Sequence, residues 1–115
     1  MMRAFVTGAA GFAGSYLTEY LLARGREVFG LVLDRGDVAN LAQALAGERA
    51  TALHLVEGDL CDERALRDAV RASRPDEIYH LAAQSSVRRS LDDPAATFQV
   101  NVLGTHSVLE AACAE

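Results

Sequence analysis

The run Ala4-Phe5-Val6-Thr7-Gly8-Ala9-Ala10-Gly11-Phe12-Ala13-Gly14-Ser15 decides the fold. Its first four residues have the apolar character of a short buried strand. From Ser15 to Arg24, Tyr16, Leu17, Tyr20 and Leu21 recur at helical spacing, with Gly25 as a stop. Between strand and helix the glycines are spaced G-x-x-G-x-x-G. A strand that ends in glycines and turns at once into a helix brings backbone N–H groups and the positive helix end to one point, where a pyrophosphate can sit. A Cβ there would block the tight turn, the approach of the phosphate and the packing of helix on strand. The run therefore predicts a dinucleotide site that includes Gly8, Gly11, Phe12, Ala13 and Gly14.

The same period repeats outward from that run. Glu27 to Leu33 reads as a second strand closed by the turn Asp34-Arg35-Gly36-Asp37, and Val38 to Ala46 as a short helix before Gly47. Thr51 to Val56 is a third strand that ends in Gly58-Asp59. Asp62 then caps a helix over Glu63 to Ser73, with Leu66 and Val70 inward and Pro75 behind it. Glu77 to Leu81 is a fourth strand, Ala82 to Asp93 a polar loop, and Pro94 opens a last helix that continues to the end. Strands alternating with helices imply right-handed βαβ units and a parallel sheet covered on both faces. The expected fold is α/β, a doubly wound Rossmann-type sheet. The complete version of that sheet has about six strands in the order 3-2-1-4-5-6. Only four are legible here, which predicts the N-terminal part of a single dinucleotide-binding domain.

Bulk composition narrows the partners. Half of the 115 residues are apolar, enough for a core, and the net charge of −5 speaks against nucleic acid and against an anionic membrane surface. No apolar stretch approaches the roughly 20 residues of a membrane span, and the N-terminus carries no signal pattern, so a cytoplasmic location is expected. Cys61 and Cys113 lack metal-ligand spacing and are expected as reduced, buried thiols. His54, His80 and His106 also lack it and read as structural; no metal is expected. All eleven basic residues are arginine, and there is no lysine.

Further candidate residues stand where strands end. Asp34 follows the second strand, about twenty residues beyond the last glycine, where a carboxylate accepts both hydroxyls of the adenosine ribose and repels a 2′-phosphate. Arg35 beside it has the opposite preference, so both NAD and NADP stay open, with NAD favoured. Asp59, after the third strand, is placed to bind the exocyclic amine of adenine. Leu81, Ala82 and Ala83 offer bare backbone to a flat ring, and Gln84, Ser85 and Ser86 offer neutral hydrogen-bonding groups where a substrate meets the cofactor. Asn101 lies within the last helix among Phe98, Val102, Leu109 and Ala112, where an amide requires a partner.

Thr7 to Ser15, Gly58-Asp59-Leu60, His80 to Ser85 and Asn101-Val102-Leu103-Gly104-Thr105 together resemble the extended short-chain dehydrogenase/reductase superfamily over almost the whole chain. The run Arg74 to Val87 looks most like GDP-mannose 4,6-dehydratase and its relative, the GDP-6-deoxy-4-keto-hexose reductase. Thymidine-diphosphate-glucose 4,6-dehydratases carry a similar loop. The resemblance implies a nucleotide-sugar enzyme whose nicotinamide removes a hydride from sugar C4 or returns one; nucleotide-sugar epimerases are the alternative within the superfamily. It places Gly8, Gly11 and Gly14 at the pyrophosphate, Asp59 and Leu60 beside adenine, and Ala82, Ala83 and Gln84 on the nicotinamide side. Ser85 approaches the sugar, with Ser86 next to it, and Asn101 bears on the active-site geometry. Asp34 departs from the arginine-bearing segment of NADP-using GDP-mannose dehydratases.

The acid–base pair of that superfamily is a tyrosine followed four positions later by a lysine, after the fifth strand. Here only Tyr20 and Arg24 have the spacing, on the first helix, and a guanidinium does not relay protons at neutral pH. No catalytic residue is therefore expected within these 115 residues, and the sugar-binding C-terminal part is expected to be absent. The resemblance also implies a homodimer or higher oligomer for the full-length enzyme, through the last helix. The competing reading, from another class, is a non-catalytic dinucleotide-binding module or sensor.

Overall fold

The computed structural model describes residues 2–82 and 87–114. Four strands, β1 (Arg3–Thr7), β2 (Glu27–Val32), β3 (Leu53–Glu57) and β4 (Glu77–His80), form one parallel sheet in the order β3-β2-β1-β4. Val6 faces Gly30 of β2 in register and Tyr79 of β4. Among the described residues six α-helices accompany them: α1 (Phe12–Ala23), α2 (Ala42–Ala46), α3 (Glu63–Ser73), α4 (Val87–Asp92), α5 (Pro94–Phe98) and α6 (Gly104–Ala114). A π-helical turn, Gln99–Leu103, joins α5 to α6.

Side chains of a strand alternate between the two faces of the sheet, and each face is covered. Ala4 and Val6 of β1 enter one core with Leu21 and Leu22 of α1, Val28 and Val32 of β2, and Leu41. Phe5, between them, enters the opposite core with Leu66 and Val70 of α3 and Val108 and Ala111 of α6. Phe5 is fully buried, as are Val6 and Val28. At about 25 cal/mol per Å² of buried apolar surface, such residues hold the doubly covered sheet together.

Several expectations are corrected. The first helix starts at Phe12, three residues before the expected Ser15, because Gly11 adopts the extended cap conformation and the following residues are already helical. Its buried face carries Thr18, Leu21 and Leu22, whereas Tyr16 and Tyr20 are 62% and 58% exposed. The segment expected as one helix from Val38 divides into a 3₁₀ turn, Ala39–Leu41, and α2. Part of the expected loop is α4, and the last helix is broken by the π turn. Both cysteines are free thiols but exposed, not buried. Among the described residues no helix is long and apolar enough to cross a membrane.

Candidate functional site

Because all four strands run parallel, their C-terminal ends share one edge of the sheet, where Gly8, Leu33-Asp34, Gly58-Asp59 and Leu81-Ala82 emerge. The chain enters at β1, runs outward through β2 and β3, then crosses to β4 on the other side of β1. Ligands of doubly wound sheets sit at this reversal of strand order. A cleft of about 570 Å³ opens there, lined by Gly8, Ala10, Gly11, Asp34, Asp59, Leu60 and Ala82 among others. That volume lies in the range of small-molecule sites.

The glycine loop forms the floor of the cleft. Gly8 has φ +67°, and a Cβ on it would lie 2.8 Å from the Ala82 backbone nitrogen. A Cβ on Gly14 would collide with the Gly8 carbonyl. The loop is braced by the Gly11 N–H to Gly8 carbonyl bond at 3.0 Å and by Asn40 Nδ2, which donates to the Ala10 carbonyl at 2.9 Å. Gly11 caps α1 without any side-chain hydrogen bond, and the first turn carries no acid. This N-terminus is a bare set of N–H donors at the positive end of a helix dipole. The floor therefore fits a pyrophosphate: it presents backbone donors beside Gly8 and Gly14, where a Cβ would intrude.

The walls are acidic. Asp34, Asp37 and Asp59 line the cleft, and among the described residues no cationic side chain does. Asp34 Oδ1 accepts the Gly36 N–H at 2.8 Å, and Asp59 Oδ1 accepts the Cys61 N–H at 2.9 Å, so both carboxylates are held in place by the turns that follow their strands. Slight desolvation of the exposed Cys61 thiol, and then the Asp59 carboxylate, raise its pKa, so it stays protonated at neutral pH. Arg35 is engaged elsewhere: its N–H donates to Glu57 Oε2 at 3.0 Å and its Nη2 to the Leu55 carbonyl at 3.0 Å, on the edge strand β3. Carboxylates without a nearby cation suit hydroxyls and amines and disfavour a further phosphate.

Of the residues singled out from the sequence, Gly8, Gly11, Asp34, Asp59, Leu60 and Ala82 come together around this cleft. Gly14 supports it from beneath through its contact with Gly8. Phe12 lies in a neighbouring groove, 76% exposed, with its ring edge-on to Tyr16 at 5.1 Å between centroids. Ala13, Arg35, Leu81 and Asn101 are not among the lining residues. Ala83, Gln84, Ser85 and Ser86 lie outside the described residues. Sequence reasoning missed Asp37, Asn40 and Val100, which also line the cleft. Asp37 had a signal, since it closes the same turn as Asp34; Asn40 and Val100 had none, being brought in only by tertiary folding.

The model of the family described as GDP-mannose 4,6 dehydratase matches residues 5–115. The chain is 46% identical over 112 residues to UDP-glucose 4-epimerase of Mycolicibacterium smegmatis, covering 96% of this chain and 34% of that protein. It is 38% identical over 114 residues to GDP-mannose 4,6-dehydratase of Vibrio cholerae, covering 95% of this chain and 30% of that one. Among solved structures, the NAD complex of UDP-glucose 4-epimerase from Thermus thermophilus superposes with a TM-score of 0.82 at 39% identity, over 96% of this chain and 33% of the other. The chain thus spans about a third of the length of the curated relatives it matches.

Proposed function

The chain belongs to the GDP-mannose 4,6 dehydratase family, and from that membership we propose that it is the dinucleotide-binding portion of a nucleotide-sugar 4,6-dehydratase or 4-keto reductase acting at sugar C4. The observation that carries this reading is the bare N-terminus of α1, opening through Gly8 and Gly11 onto a cleft walled by Asp34 and Asp59. A nicotinamide held there would supply the hydride chemistry, accepting a hydride from sugar C4 or returning one. The chain's own part is to bind and orient: the amides of the glycine loop meet the pyrophosphate, Asp34 the adenosine ribose, and Asp59 with Leu60 the adenine. The resemblance assigns Ala82, Ala83 and Gln84 to the nicotinamide and Ser85 and Ser86 to the sugar, the last four lying outside the described residues. NAD is preferred to NADP, because Arg35 is tied to β3 and the cleft wall is acidic.

A second reading within the same chemistry is a nucleotide-sugar 4-epimerase, favoured by the 46% identity to the mycobacterial enzyme. Both readings place the tyrosine and lysine of the acid–base pair beyond these residues, so the 115-residue chain by itself turns over no nucleotide sugar. General acid–base help of about 10²–10⁴-fold is missing without them. The reading includes a cytoplasmic setting, in keeping with two free thiols. It also includes a dimer of the full-length enzyme, in keeping with the exposed Phe98, Val102 and Leu109 on the last helical segment.

Calorimetric titration with the two dinucleotides tests the reading. NAD binds more tightly than NADP, and Asp34→Ala weakens NAD by roughly tenfold while leaving NADP nearly unchanged. Equal losses for both would remove Asp34 from ribose recognition, and no binding of either would remove the proposed function.

A further inference from the structure

A partly buried hydrogen-bonded chain joins the ends of β1 and β4 to α6. Thr7 is fully buried, and its Oγ1 accepts the Leu81 N–H at 3.0 Å and the Ala82 N–H at 3.1 Å. With both lone pairs used, its own proton goes to His80 Nδ1, 2.7 Å away. Nδ1 is then the acceptor nitrogen, and the imidazole proton sits on Nε2, 3.0 Å from Thr105 Oγ1. Thr105 in turn donates to the Asn101 carbonyl at 2.7 Å. Only the neutral Nε2–H tautomer satisfies every donor and acceptor in this chain. An imidazolium would turn a second N–H toward a Thr7 oxygen that is already filled.

One end of the chain lies at the cleft, and the other lies one residue from it. Ala82 lines it from just beyond the end of β4, packed so closely over Gly8 that a Cβ on Gly8 would not fit between them. Val100 lines it from the π turn, whose Asn101 carbonyl is the last acceptor. π turns inside helices recur at functional sites. We propose that His80, as its Nε2–H tautomer, is a positioning residue that couples the Ala82 wall of the cleft to the Val100 wall and so holds the cleft at the width a dinucleotide requires. The role in cofactor binding rests on the reading of the cleft given above; the coupling itself does not. Burial lowers the His80 pKa, in the direction that keeps the ring neutral.

The test has one readout without ligand and one with it. Two-bond proton–nitrogen correlation of the His80 ring near neutral pH should show a protonated Nε2 and a bare Nδ1. Amide hydrogen exchange at Ala82 should accelerate at least tenfold in Thr105→Val, which leaves Nε2–H without an acceptor, and return to within about twofold in Thr105→Ser. NAD affinity should follow the same pattern. An Nδ1–H tautomer or an imidazolium would overturn the proposal, whether or not the valine variant folds. So would unchanged Ala82 exchange in Thr105→Val, or a failure of the serine variant to restore it. If the tautomer and exchange results hold while the parent chain does not bind NAD, the coupling stands and the cofactor reading falls.

Discussion

Helices α1 and α3 both begin just beyond a strand, on the same edge of the sheet, yet their first turns are completed in opposite ways. The N-cap of α3 is Asp62, whose side chain accepts the Ala65 N–H at 3.1 Å, and Glu63 adds a second negative charge to the first turn. The N-cap of α1 is Gly11, without a side-chain bond and without an acid in its first turn. A helix that carries its own anion is a structural joint. One that leaves its donors bare at the floor of a cleft, beside Gly8 and Gly14 where a Cβ does not fit, is arranged to receive an anion from outside.

The largest effect that should break this contrast is Gly14→Ala. Its Cβ would collide with the Gly8 carbonyl, pushing α1 away from the loop. A loss of about 3 kcal/mol in denaturant unfolding is expected, at the upper end for overpacking, together with loss of NAD binding. Gly11→Asp sharpens the contrast by giving α1 the kind of cap that α3 has. Stability should change by only a few tenths of a kcal/mol, since glycine is itself a tolerable N-cap, while NAD affinity falls roughly tenfold or more through charge repulsion. Calorimetry and chemical denaturation on the same variant would separate the two effects. Asp62→Ala is the reciprocal change: α3 loses its cap at a cost of about 1 kcal/mol, and NAD binding is unchanged.

How much of this contrast was legible in the sequence differs between the two helices. The start of α3 was readable because Asp62 stands before an amphipathic run in which Leu66 and Val70 do turn inward. The loop before α1 was readable as a phosphate site from its glycine spacing, but the helix start was not, because Phe12-Ala13-Gly14 contains no capping signal. Aromatic spacing misled the choice of buried face: Tyr16 and Tyr20 share a face, but that face lies in solvent, and the fully buried Thr18 was passed over. Helix α4 read as a loop because Arg88-Arg89-Ser90 supplies no apolar stripe and Leu91 is 77% exposed. The π turn has no periodicity of its own, so its delivery of Val100 to the cleft was invisible until α5 and α6 were in place.

The smallest effect comes from pH and arises outside both helices, since neither α1 nor α3 contains a histidine and His80 lies on β4. Burial lowers the folded-state pKa of His80 below the ordinary histidine value of 6.5. The unfolded chain then binds more protons in the acid range, so the stabilisation is complete above about pH 6.5 and is lost as the pH falls toward the folded value. A shallow decline in unfolding free energy below that point is expected, and His80→Gln should flatten it. A decline of the same depth in both proteins would locate the effect in other groups.

Amide resonances followed during an NAD titration test the central claim most directly, because they compare the two helix starts in one sample. The account predicts that the largest shifts fall on the amides of Gly8 to Ser15, while those of Glu63 to Ala65 stay where they were. Shifts concentrated at α3, or NAD binding that leaves the Gly8 to Ser15 amides unmoved, would contradict it.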